Sequence, residues 1–472
     1  MENEMKNNKE VIKKFKFEIG IFISLAFGIF FRFYKLDRQS LWTDELYSVY
    51  ASSLENWQQF WNYLASDPHP PLFQILLSIW IHINPTGNEV YTKLFPVLIS
   101  IFNLFVLLFL TKGWEKKRRF LFLLLFSFSP GAIYYAQEVR SYSLLLCLSS
   151  FIVVLFDSFL SDIQNKKRYV SLAILSICIS YVHLFGFIFV GFLYFLFWIY
   201  FLGLKDNRRN LVFLLGVVTF IAYLPFVFQL LSGDKIATAS WIDPPNLVLY
   251  LSYYSLYFYT SKKFLFLTVI VPVVLFLLII YQLVKKIFRK GGFSVLRLSE
   301  MYLLVAIFVI IVTSIFSFYK PIVTNRNWIV TLPLVFMFVS EKISESKRSK
   351  ILMVSLILLT ILSFVDFKKN FYIVFKEDWR STSQFISKQC EGRYVFSNAT
   401  PEYIKLYLDW NSVQNFEPQL LGEETKIEQN KLCVVYRFLG GNGKSFEEKN
   451  GWKFVKEQQF YGMVVKEYLR SE

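Results

Sequence analysis

The sequence predicts a polytopic α-helical membrane protein with a small α/β domain at its C-terminal end. Three observations carry this. The 472-residue chain is 55% hydrophobic and 19% aromatic, above the ~45–50% apolar content of soluble domains. The excess is gathered in runs of about 15 to 23 residues, and runs of about 18 or more read as spanning helices. The segments between the runs alternate between strongly basic and weakly basic, as expected of inner and outer membrane loops.

The net charge of +16 on a soluble chain would suggest nucleic acid as a partner. Here the positive-inside rule accounts for it, and no nucleic-acid partner is expected. Lys6, Lys9, Lys13, Lys14 and Lys16 precede the first apolar run with no cleavable-signal pattern, so the N-terminus reads as cytoplasmic and the first helix as an uncleaved anchor.

The first span covers about 17–33, with Arg32 expected to snorkel at its outer end. The loop after it holds Trp42, Asp44 and Glu45. The apolar stretch from Pro70 to Ile83 reaches only about 20 Å as a helix, short of the ~30 Å hydrocarbon core. Charge decides its treatment. The later segment Lys112 to Arg119 carries five basic residues and belongs inside, which requires 70–83 to stay on the outer face as a juxtamembrane helix.

The remaining spans follow at about 94–111, 120–136 and 141–160. Residues 169–204 read as a hairpin of two short helices turning near His183 to Gly186. Further spans fall at 210–231, 264–284, 299–318, 327–340 and 351–367. Inner segments then hold 25 Lys and Arg and outer loops 10. This supports about eleven spans, with the N-terminus inside and the C-terminus outside. The domain division is 1–367 for the membrane part and 368–472 for an extracytoplasmic α/β domain, with 368–380 as a charged linker. Residues 393–397, 431–438 and 462–468 have strand character, and Pro401 opens a helix.

Of the four cysteines, Cys147 and Cys178 lie in apolar runs as packing residues. Cys390 and Cys433 lie in the tail; a disulfide and two free thiols both fit. The chain has no P-loop, GxGxxG, HExxH or GxSxG motif.

This threading puts Asp44, Glu45, His69, Glu138, Arg140, His183, Asp243 and Arg326 on the outer side. Such groups can serve as general base, phosphate clamp or metal site. Each also has a plainer reading. The acids fit ordinary loop residues, Glu138 and Arg140 a solvated pair, His183 a satisfied turn histidine, His69 a shaper of the short helix, and Arg326 a snorkelling anchor.

Taken in order, W-T-D-E (42–45), H-P-P-L-F (69–73), Y-Y-A-Q-E-V-R-S-Y-S-L (134–144), N-R-N-W (325–328) and K-E-D-W-R (376–380) resemble the family 39 glycosyltransferases. These are polytopic GT-C enzymes that include protein O-mannosyltransferases and lipid A aminoarabinose transferases. The resemblance implies a GT-C fold and a sugar donor on polyprenyl phosphate. It further implies hexosyl or pentosyl transfer to a glycan, lipid or protein acceptor on the outer face of a cell membrane, such as a bacterial inner membrane. It assigns Asp44 as base; from their place on the outer face, Glu45 is expected to orient or substitute for Asp44, and Glu138 to position the acceptor, the sugar or a cation. Arg140, Arg326, His69 and His183 are the candidates for holding substrate and lipid phosphate. A divalent metal at His69 and His183 stays open. The competing readings are a transporter or flippase of lipid-linked sugar, and an O-antigen ligase or polymerase. Charges at the outer face and the lack of an internal repeat favour the enzyme.

Overall fold

A computed structural model describes residues 2–231, 242–259, 265–391, 394–398, 400–413, 416–420, 430–437 and 452–470, with backbone only for 2–14 and 290. Phe264, Arg393 and Phe438, which open or close ranges read above, lie outside the described residues.

Helices occupy each of the eleven predicted spans. Among the described residues seven are long and apolar enough to cross a membrane, and eight if the bent pair Lys116–Phe128 and Pro130–Gln137 is one span. Eleven is reached by counting Glu2–Phe33 and the shorter Lys166–Val182 and Leu332–Glu345 as well. Side chains such as Phe22, Phe102 and Phe228 point outward from these helices, as lipid-facing residues do in a multi-pass membrane protein. The juxtamembrane prediction corresponds to the 12-residue helix Leu72–Ile83, preceded by Thr43–Ser53 and Trp57–Ser66 in the same excursion.

The bent pair has a local cause. Pro130 has no N–H to give the Phe126 carbonyl, and it pushes Ser129 into extended backbone (ψ 121°). The Gly131 N–H bonds instead to the Leu256 carbonyl at 3.0 Å. A Cβ on Gly131 would meet Leu256 at 3.0 Å, so this approach favours glycine. The chain turns by 51° here, which carries Tyr134, Tyr135 and Glu138 toward the centre of the molecule.

Arg32 corrects the sequence reading. It does not snorkel; it is buried. Its guanidinium donates to the Phe126 carbonyl at 3.1 Å, the Gly28 carbonyl at 2.8 Å and Ser100 Oγ at 2.7 Å. The carbonyl that Pro130 leaves without a helical partner thus acquires a charged donor, and the requirement to satisfy buried backbone groups outweighs the pull of solvent on the charge.

The tail forms a five-stranded sheet: β1 Tyr394–Ser397, β2 Gln419–Leu420, β3 Lys431–Arg437, β4 Trp452–Phe460 and β5 Met463–Arg470. Their spatial order is β2-β1-β3-β5-β4, parallel at β2-β1-β3 and antiparallel at β3-β5-β4. β4 was not foreseen, because its solvated face breaks the apolar alternation that marks a strand. Cys390 and Cys433 form a disulfide tying helix Trp379–Gln389 to β3. Closing a loop of 43 residues is worth roughly 3–4 kcal/mol. Cys390→Ser is expected to speed limited proteolysis of the tail while the membrane helices stay protected; unchanged cleavage would contradict this.

Residues 368–380 are not a free linker. Lys376, Glu377 and Trp379 are buried, and the segment is fastened to the first loop. Glu377 accepts from the Thr43 N–H at 3.0 Å and from Trp379 Nε1 at 2.9 Å, and pairs with Arg437 Nε at 2.5 Å. Arg380 forks onto Glu89 at 2.8 and 2.9 Å, a bidentate arrangement that fixes orientation as well as distance. Asp378 caps helix Trp379–Gln389 by accepting from the Ser381 N–H at 3.0 Å. Further along, Tyr407 Oη bonds to Ser40 Oγ and to the Leu41 N–H, each at 2.9 Å. Tail and first loop therefore form one packed unit.

Candidate active site

The helix Thr43–Ser53 begins at Trp42, whose extended backbone starts it. Asp44 and Glu45 sit in its first turn, where carboxylates complement the helix dipole. Adjacent helical positions are about 100° apart around the axis, so the two acids face different surroundings.

Glu45 is fully buried. Its oxygens accept from the Trp42 N–H at 3.2 Å and the Val139 N–H at 2.8 Å, and pair with Lys376 Nζ at 2.7 Å. Asp44 keeps a side-chain exposure of 29% and meets Arg326 at 3.0 Å. The sequence left the choice between these acids open; the structure leaves Asp44 as the accessible one.

Arg326 lies on the 3-10 turn Asn325–Thr331, which leads into Leu332–Glu345. It stands 5.2 Å from the Trp42 ring and 5.5 Å from the Tyr142 ring, cation–π contacts that hold the fork in place. On its other side is Glu138, 4.0 Å away. Burial pushes the Glu138 carboxyl above its ordinary range, while Lys376 acts in the opposite sense. A group so placed is poised to hold a proton at higher pH than an exposed glutamate.

Trp42, Tyr134, Tyr135, Glu138, Asn325 and Arg326 line part of a cavity of about 470 Å³. It is walled further on by Pro130, Leu256 and Phe367. Its lining thus combines charged and polar groups with apolar ones.

Arg140 has a different setting. Its NH1 donates to the Asp44 carbonyl at 3.1 Å and to Ser48 Oγ at 3.0 Å, so it braces the helix that presents Asp44. His69 Nδ1 lies 2.8 Å from the buried Asp67, and its ring meets His183 at 5.4 Å. His183 is the hinge residue between Lys166–Val182 and Leu184–Gly203. Among the described residues no three His, Cys, Asp or Glu side chains converge as metal ligands.

Seven of the predicted outer-face residues are therefore brought together: Asp44, Glu45, His69, Glu138, Arg140, His183 and Arg326. Asp243 is not; it is exposed and apart from these contacts. The sequence reading missed Asp67 and the structural weight of Lys376, Glu377 and Arg380. The signals were present: an Asp two residues before His69, and mixed charges around a tryptophan in K-E-D-W-R.

Comparison with solved structures places the fold. ArnT from Cupriavidus metallidurans bound to undecaprenyl phosphate aligns with a TM-score of 0.58 and 13% identity, over 95% of this chain and 97% of that one. The apo state of the same protein gives 0.57 and 11% over the same shares. The Archaeoglobus fulgidus oligosaccharyltransferase in complex with Zn and sulfate gives 0.48 and 14%, over 89% of this chain and 68% of that one. No family model and no curated protein matches the sequence. The chain has the GT-C fold of ArnT, with helices through the membrane and a small C-terminal sheet.

Proposed function

We propose that this protein is an integral-membrane glycosyltransferase that moves a sugar from a polyprenyl-phosphate donor to an acceptor hydroxyl on the outer face of the membrane. One observation carries the reading: an accessible Asp44 paired with Arg326 at 3.0 Å, beside a cavity with both charged and apolar walls. The shared fold adds support, since ArnT binds undecaprenyl phosphate.

In the proposed reaction the acceptor oxygen forms a bond to the anomeric carbon. The bond from that carbon to the phosphate oxygen breaks, and its electron pair leaves with the polyprenyl phosphate. The acceptor proton goes to Asp44. Phosphate is a good leaving group, so the main needs are a base and a cation near the departing charge. Arg326 meets the second need, because its planar fork grips phosphate in two bonds. Glu45 and Arg140 hold the Asp44 helix in register, and Glu138 keeps Arg326 oriented. A single displacement inverts the anomeric carbon. Hexosyl and pentosyl donors both suit this scheme.

The proposed orientation has residues 1–367 in the membrane with a cytoplasmic N-terminus and 368–472 outside. The Cys390–Cys433 disulfide supports an oxidising location for the tail. Purified protein in lipid nanodiscs, given a labelled polyprenyl-phosphate monosaccharide, should release polyprenyl phosphate and form a labelled product with inverted linkage. Movement of intact donor across the bilayer without release would favour a flippase and overturn the reading. Arg326→Lys is expected to lower kcat by roughly 10²–10³-fold, as loss of one transition-state hydrogen bond to charge predicts. An unchanged kcat would remove Arg326 from the phosphate.

A further inference from the structure

Next to Asp44 and Arg326 is a second group of polar side chains, of which the proposed reaction uses only Arg140, as a brace for the Asp44 helix. It is continuous with the first: Arg326 stands 5.5 Å from the Tyr142 ring, and Tyr142 6.1 Å from the ring of His183.

The two imidazoles are held in opposite tautomers. Asp67 accepts from the His69 N–H at 2.9 Å and lies 2.8 Å from His69 Nδ1. Burial alone would raise the Asp67 carboxyl, but the charge and hydrogen bonds of His69, with Arg140, bring it below its ordinary value. An ionised Asp67 makes His69 Nδ1 the proton donor, which fixes the tautomer in which Nε2 is the acceptor nitrogen. His183 is reversed. Its Nδ1 accepts from the Phe185 N–H at 3.1 Å, so the proton sits on Nε2. That Nε2 is buried with no partner, and so is Nε of Arg140, among the described residues. His183 is 4% exposed, and burial, with His69 and Arg140 nearby, holds its basicity well down.

Buried polar atoms without partners are costly, and a native structure that keeps them invites a ligand or water. We infer that Asp67, His69, Arg140 and His183 form a subsite for the neutral, hydroxyl-rich part of the acceptor, a sugar ring. A hydroxyl both donates and accepts; His69 Nε2 and His183 Nε2–H, on rings 5.4 Å apart, offer the complementary pair. The charges of Asp67 and Arg140 offset each other and the buried His183 is uncharged, so the subsite suits a polyol better than a phosphate. The anion is left to Arg326. This inference rests on the transferase reading for the word acceptor, but the binding itself does not.

The test uses the full-length protein in nanodiscs and methyl α-D-mannopyranoside as a neutral sugar probe, read by saturation-transfer NMR. A signal is expected with the wild type and with Asp44→Asn. His183→Phe, which lacks the donor, should reduce it at least fivefold. His183→Gln, which keeps an N–H near the Nε2 position, should recover most of it, a rescue that a purely packing role would not produce. No signal from the wild type, an unchanged signal in His183→Phe, or equal losses in both variants would overturn the subsite. Sugar binding without turnover of any polyprenyl-phosphate sugar would instead sink the transferase reading and leave the subsite standing.

Discussion

Asp44→Asn is expected to cut sugar transfer by roughly 10²–10⁴-fold, the usual contribution of a general base, with melting temperature and membrane insertion unchanged. The substitution is nearly isosteric. An Asn oxygen can still accept the 3.0 Å bond from Arg326, and the helix retains its Glu45 bonds to Trp42 and Val139. What disappears is the ability to take up the acceptor proton at neutral pH. Steady-state transfer in nanodiscs, with thermal unfolding measured on the same samples, checks both halves. Activity within threefold of wild type would remove Asp44 as base. A fall in melting temperature matching the fall in rate would make its role structural.

Lys376→Ala acts on stability. The Lys376–Glu45 pair has side-chain exposures of 7% and 0%, so removing the lysine leaves a carboxylate in a dry site. Breaking a buried pair from one side costs roughly 3–5 kcal/mol. The first turn that presents Asp44 is the part left unsupported, so activity should fall along with stability. The double variant Glu45→Gln/Lys376→Met removes both charges together and is expected to recover much of the lost stability. Thermal unfolding distinguishes the cases: a single variant as stable as wild type would show that Glu45 is adequately held by its two backbone donors.

The membrane helices were legible because lipid imposes one rule on sequence. A spanning segment needs an apolar stretch near 20 residues, and loop charge orients it. The short helix Leu72–Ile83 was legible for the same reason, being too short to cross between segments of known sign. The grouping of Asp44, Glu138, His69, His183 and Arg326 followed, since the ends of helices on one side of a bilayer are confined to a thin layer. Arg32 was misjudged because snorkelling assumes that water is the best partner within reach. The carbonyl freed by Pro130 and its neighbours are closer. Residues 368–380 were misjudged because alternating charges on a page look solvated. Their partners, Glu45, Thr43 and Glu89, lie about 300 residues away in sequence, beyond any local pattern.

Apolar length and loop charge were enough to show that this chain crosses the membrane many times, that a helix too short to cross follows the first long one, and that charged residues would gather. Apolar length and loop charge are local quantities and can be read without a structure. The choice between Asp44 and Glu45 needed the packing around them. Both occupy the first turn of one helix, and what separates them is packing. Lys376 and the Val139 backbone enclose Glu45, while Asp44 is left facing Arg326 beside the cavity. The opposite tautomers of His69 and His183 were likewise invisible in sequence, because each is set by what bonds to Nδ1, an Asp67 carboxylate in one ring and the Phe185 N–H in the other.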